Sequence, residues 1–167
     1  DTIEQGKAIA NIIYSEGITI LIPIWRGDVW GDELHDSVFS EFIRIGGIVD
    51  DGIRYFPDTT TFPIETSFLA QRVQHHVDST DTEKIGVLII GFQEYVQIIY
   101  SALQYDDILD NIRWFGSPGI TKTSQMVNEL PLREFAEKTQ FNAIQFSASH
   151  SPEYDKVKNR IESDLAR

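Results

Sequence analysis

The sequence predicts an α/β fold: a three-layer, doubly wound domain in which a parallel sheet carries helices on both faces. Five apolar runs of strand length alternate with segments of helical period. Two of these runs, Ile18 to Trp25 and Lys84 to Ile90, are almost continuously apolar, the pattern of strands covered on both sides. The 167 residues suffice for one domain with its own core and are too few for two.

Thr2-Ile3-Glu4-Gln5 reads as a capping box opening a helix through Tyr14, with Gly17 as its stop. After the strand Ile18 to Trp25, a helix from Asp32 to Ile45 places Leu34, Val38, Phe42 and Ile45 on one face, and Gly46-Gly47 ends it. Ile48 to Phe56 alternates more and is expected nearer a sheet edge. Pro57 to Pro63 is a polar loop, and Ile64 to Val77 a helix with Phe68, Leu69, Val73 and Val77 inward. Lys84 to Ile90 is the central strand. A helix from Glu94 to Leu109 follows, burying Val96, Ile99, Tyr100 and Leu103. Ile112 to Phe115 is a short strand before the turn Gly116-Ser117-Pro118-Gly119. Ser124 to Lys138 is helical with an interruption near Pro131, and Phe141 to Ser147 is the fifth strand. Ser151-Pro152 reads as an N-cap and first helical residue opening a last helix.

Right-handed crossovers leave few topologies, of which the flavodoxin-like order 2-1-3-4-5 is expected. It puts the switch point between strands one and three, where ligands sit outside the strand C-termini. That rule nominates the loops Arg26 to Gly31, Gly91 to Glu94 and Gly116 to Gly119.

Within these loops Trp30 is read as a stacking wall for a small ligand, and Trp25 as core. Arg26 suits a ligand carboxylate or a local Asp, and either Asp28 or Asp32 suits the helix cap. Gly91 permits close backbone approach. Glu94 reads as a helix-dipole residue, although an ammonium ligand would suit it. Ser117 offers a hydroxyl, and Pro118 only backbone.

Acidic residues outnumber basic ones 26 to 14, a net charge of −12, and no basic face is legible for nucleic acid. The same balance disfavours an anionic membrane surface. No run reaches membrane-span length, and the absence of Cys excludes disulfides and thiolate metal sites. No catalytic set or phosphate loop stands out, so neither enzyme activity nor a cofactor is expected. His35, His75, His76 and His150 lack partners at metal-ligand spacing, and the histidine pair reads as surface. Asp50-Asp51 reads as a strand-edge charge pair, and Asp106, Asp107 and Asp110 as a solvated helix end. A phospho-receiver would need Asp at the end of strand three, where Ile89-Ile90-Gly91-Phe92 stands. A flavin site would need a Ser/Thr-rich loop where Arg26-Gly27-Asp28-Val29-Trp30 stands.

Several stretches taken together carry a family resemblance. They are Asp28-Val29-Trp30-Gly31-Asp32, Phe42-Ile43-Arg44-Ile45-Gly46-Gly47, Ile53-Arg54-Tyr55-Phe56-Pro57 and Thr59-Thr60-Thr61-Phe62. Ile89-Ile90-Gly91-Phe92-Gln93-Glu94 and Arg113-Trp114-Phe115-Gly116-Ser117-Pro118-Gly119 complete the set. In their order and spacing, from Thr2 to Phe146, the chain resembles the second lobe of type I periplasmic or extracellular solute-binding proteins. The branched-chain amino-acid receptors of ABC transporters are the group it is most similar to. The resemblance implies residues 1–147 as a ligand-binding lobe and 148–167 as a crossover and helix of an absent first lobe. It implies a non-catalytic, extracellular or periplasmic receptor, membrane-anchored when whole, that closes on a small solute and delivers it to a membrane permease. The alternative is a ligand-sensing domain of a receptor or regulator. Trp30 matches the aromatic residue that packs on the ligand, and Gly91 and Phe92 match cleft-lining positions. Pro118 stands at or beside the position of an acidic residue that holds the ammonium in amino-acid binders. That departure argues against an amino-acid ligand. A start at Asp1 within a helical segment suggests a processed or excised piece. An isolated lobe would expose its interlobe face, so a homodimer is a secondary expectation.

Overall fold

The computed structural model describes residues 1–146. The expected last helix and the division at residue 148 lie outside the described residues. Elements run α1 (Thr2–Ser15), β1 (Ile20–Arg26), α2 (Val29–Arg44), β2 (Ile48–Val49), β3 (Ile53–Tyr55), α3 (Pro63–Val77) and β4 (Ile85–Ile90). They continue with α4 (Tyr95–Ala102), α5 (Asp106–Leu109), β5 (Arg113–Gly116), α6 (Ser124–Asn128), α7 (Leu130–Thr139) and β6 (Asn142–Ala143). All strand pairs are parallel, in the order β2-β1-β4-β5-β6, with β3 also on β1. With β2 and β3 counted as one interrupted strand, this is the expected 2-1-3-4-5 order.

Period-two alternation sorts the core into two layers. Ile20, Ile22 and Ile24 of β1 and Ile85, Val87 and Ile89 of β4 face α3, α4 and α7. Leu21, Leu88, Ile90 and Phe115 face α1 and α2, meeting Ile9, Ile13, Leu34, Val38 and Phe42. Every residue of β4 is buried, as expected of the central strand.

The second strand is broken, and a residue of the first explains why. The Thr19 and Leu21 carbonyls accept hydrogen bonds from Ile48 and Asp50, and Gly27 donates to Tyr55, while the Thr19 N–H turns to Lys84. From Leu21 onward the odd-numbered residues of this stretch therefore address the β2–β3 side. Pro23 stands in that series and has no N–H to give. Opposite it the register slips. Leu21 pairs with Val49 but Ile24 with Ile53, so three steps along β1 match four along its neighbour. The extra residue is a bulge, turned by Gly52 at φ +64°. Asp50 holds the bulge to α3. Its buried carboxylate accepts from the Gly52 N–H (2.9 Å), Arg72 (2.6 Å) and His76 Nε2 (2.7 Å). Asp50 is therefore an interior anchor and His76 its half-buried partner, while Asp51 and His75 remain exposed.

Other expectations need correction. The first helix is capped by Asp1, whose carboxylate accepts from the Glu4 N–H, rather than by Thr2. The second begins at Val29, because Asp28 provides the cap through the Gly31 N–H (2.8 Å). Trp30 and Gly31 thus belong to a helical turn. Phe68 and Tyr100 face outward, and Thr66 and Ile98 are buried in their elements instead. The helix expected over 94–109 is three pieces, with a 3-10 turn Leu103–Tyr105 between α4 and α5. Leu130 and Pro131 begin α7, which places the interruption where Pro131 predicted it. Among the described residues the fifth strand keeps its ladder at Asn142–Ala143 alone.

Candidate functional site

The C-terminal ends of β1, β3, β4 and β5 meet at one edge of the sheet, and their side chains form two linked assemblies. In the first, Arg26 at the end of β1 donates to Asp28 (2.6 Å) and, across the switch point, to Glu94 (3.3 Å). The hydroxyl of Tyr55, at the end of β3, donates to the same Glu94 oxygen (2.8 Å). Asp28 beside it raises the Arg26 pKa, against the opposing effect of burial. Burial, then the Glu94 carboxylate, pushes the Tyr55 phenol far up, so it stays a protonated donor. Gly91 makes this convergence possible: a Cβ there would run into the Tyr55 hydroxyl and the Glu94 carboxylate.

In the second assembly Asp32, in the first turn of α2, accepts from both nitrogens of a fork on Arg54 (2.9 and 3.0 Å) and from the Trp25 indole (3.0 Å). Those bonds, Arg54 first, hold Asp32 at about 2. Arg54 also donates to the Gly27 carbonyl (3.1 Å), clasping the first loop. Trp25 packs on the α1–α2 layer as expected and stacks on His35 at 3.8 Å.

An aromatic shelf joins the two nominated loops. Trp30 stacks on Phe92 with centroids 4.5 Å apart and planes at 21°, and the Arg26 guanidinium lies 5.3 Å from the Phe92 centroid. Phe92 is 37% exposed, and Val29 and Phe56 on the same edge are 75% and 72% exposed.

The structure therefore brings Arg26, Trp30, Gly91, Phe92 and Glu94 together, and Pro118 is half-buried in the third loop. Ser117 differs from expectation. It is fully buried, and its hydroxyl accepts from the Gly91 N–H (3.3 Å), so it props the second loop and offers nothing to solvent. Glu94 is engaged by Tyr55 and Arg26 and makes no side-chain cap on α4. Reading by residue missed Arg54, Tyr55 and Asp32 as edge residues. The signal was the Arg54-Tyr55 pair near the C-terminal end of the alternating run Ile48 to Phe56. Among the described residues no group of three or more His, Asp or Glu could hold a metal ion. No helix there is long and apolar enough to cross a membrane.

No family model matches the chain. It is 24% identical over 157 residues to an uncharacterized protein of Methanocaldococcus jannaschii, covering 94% of this chain and 36% of that protein. Among solved structures, a protein assigned to a branched-chain amino acid ABC transporter of Rhodospirillum rubrum superposes with TM-score 0.54 at 13% identity. That match covers 80% of this chain and 32% of that one. An extracellular ligand-binding receptor of Verminephrobacter eiseniae gives 0.51 at 14% identity, over 81% and 33%. LpoA of Haemophilus influenzae gives 0.59 at 10%, over 96% and 27%. The chain thus spans between about a quarter and about a third of each of these proteins. With its parallel sheet, its strand order and these likenesses, the chain has the fold of one lobe of a type I periplasmic binding protein.

Proposed function

We propose that this chain is one lobe of a non-catalytic small-solute receptor, in which ligand is bound between two lobes and enclosed by hinge closure. The observation that carries the reading is the Trp30–Phe92 stack with Arg26 beside it, at the sheet's switch point. Trp30 and Phe92 would supply the stacking surface, Gly91 and Pro118 the close backbone, and Arg26 and Glu94 polar contacts. Arg26 and Glu94 already satisfy each other. A ligand that competes for them must therefore replace an ion pair, which favours solutes with a substantial apolar or planar part. In this reading the intact protein is extracellular or periplasmic, membrane-anchored, and serves an ABC permease.

A second reading is a regulator of the same architecture whose edge docks another protein. It is favoured by the exposed Val29 and Phe56 beside charges already engaged in internal ion pairs. Calorimetry on the two-lobe parent protein, against amino acids and related small solutes, separates the two. The solute reading expects saturable binding weakened at least about tenfold by Trp30→Ala, a loss within reach of one aromatic contact. An intact protein that binds no solute class would sink it.

A further inference from the structure

A groove of about 720 Å³ opens beside the β6 edge of the sheet, and none of the seven residues nominated for the cleft lines it. Tyr95, Ile120, Met126 and Phe141 make its apolar part. The Tyr95 and Phe141 rings are stacked, with centroids 5.7 Å apart. The Tyr95 hydroxyl donates to the Thr121 carbonyl (2.8 Å), so the polar tip of that ring is satisfied. Two exposed cations, Lys122 and Arg133, also line it.

Two cations beside an apolar floor give this groove its chemistry. Among the described residues Arg26, Arg44, Arg54, Arg72, Arg113 and Lys138 each sit in a salt bridge. Lys122 and Arg133 do not, and neither do Lys7 and Lys84, which stand apart from the groove. A single carboxylate, Glu137, shares the lining, one helical turn from Arg133 and outside salt-bridge distance of it. In a chain of net charge −12, two cations with no salt-bridge partner among the described residues outweigh the one carboxylate of this lining, a local reversal of sign beside an apolar floor.

We infer that this groove binds a single-chain amphiphilic anion, of the medium-chain carboxylate type, at a site separate from the interlobe cleft. The alkyl chain lies over Met126, Phe141 and Ile120, where a thioether adapts to a flexible ligand. The carboxylate meets Arg133, whose planar fork suits two oxygens, and Lys122 as a point charge. The volume is in the range of small-molecule sites.

The sequence holds one methionine, Met126, so a methyl-13C-methionine label reports on the groove through one signal. The whole chain is titrated with decanoate and, in a parallel arm, with decyltrimethylammonium, both below their micelle concentrations. Decanoate is expected to move the Met126 signal saturably, with the matched cation about tenfold weaker or more. Lys122→Glu with Arg133→Glu should weaken decanoate by a similar factor while the thermal unfolding temperature is kept. Three results overturn the inference: no saturable shift, equal response to both amphiphiles, or contacts from the unliganded Met126 methyl to residues 147–167. The last would mean that the chain fills its own groove. Since cleft residues take no part, failure here leaves the solute-receptor reading intact, and the reverse holds.

Discussion

Trp30, in the first turn of α2, lies flat against Phe92, in the loop after β4, so two segments remote in sequence share one aromatic surface at 4.5 Å. Neither residue is in the sheet. Asp28 starts α2 early enough to carry Trp30 inward, and the buried Ser117 hydroxyl holds the Gly91 amide that leads into Phe92.

Replacing Phe92 with Ala should free one face of the Trp30 indole. Trp emission is expected to shift to longer wavelength, with a stability loss of about 0.5–1.5 kcal/mol beyond area effects. A Trp30→Phe control identifies the signal, because Trp114 is fully buried and Trp25 is packed on His35. An unchanged spectrum in Phe92→Ala would contradict the stack.

Tyr55 and Glu94 should be energetically coupled. In a double-mutant cycle of Tyr55→Phe and Glu94→Gln, urea unfolding is expected to give a coupling energy of about 1.5–3 kcal/mol, the range for hydrogen bonds to a charged group. Tyr55→Phe alone should destabilise, since it leaves Glu94 with Arg26 as its remaining side-chain partner. Additive single effects would show the bond to be inconsequential.

Acid should weaken the fold through two carboxylates. Burial opposes the charge on Asp50, but Arg72, the Gly52 N–H and His76 outweigh it and hold the group below its ordinary value. Asp32 is held at about 2 by Arg54 and Trp25. A depressed folded pKa gives stability present above the unfolded value near 3.9 and lost as pH falls through the folded value. Urea midpoints should therefore drop between about pH 4 and pH 2. Asp50→Asn should be less stable at pH 7 and show a shallower acid decline. An equally steep decline in the variant would exclude Asp50 as its source.

Gly52→Ala should cost more than the roughly 1 kcal/mol that an unstrained Gly-to-Ala change gains. The substituted residue would sit at φ +64°, and its Cβ would strike the Pro23 carbonyl oxygen. Thermal unfolding measures the loss. A neutral result would mean that the β2–β3 bulge relaxes without penalty.

Most of the architecture was legible in the residues because burial on two faces leaves a pattern one strand long. Ile85–Ile90 is wholly buried and reads as central without any neighbour being known. Pro131 and Gly17 marked a helix break and a helix end by removing a donor and by taking φ +94°. The break in the second strand was not read, because its cause lies in the first: Pro23 withholds a donor from a neighbour nearly thirty residues on. Phe68 and Tyr100 were misplaced for a related reason. An aromatic residue on a helical stripe looks like core until the sheet shows where the stripe points.

The edge of the sheet divides in the same way. Topology and the switch-point rule, both readable from the order of apolar runs, led to Arg26, Trp30, Gly91, Phe92 and Glu94 as neighbours. How those residues spend their polar groups was settled only in three dimensions. Ser117 turned inward to an amide, Glu94 was taken by Tyr55 and Arg26, and Asp32 was claimed by Arg54 and Trp25. Strand order follows from local pattern and crossover handedness, which the chain carries along its length. Hydrogen-bond partnership depends on which donors lie within about 3 Å once the strands are assembled, and that distance exists only in the folded molecule.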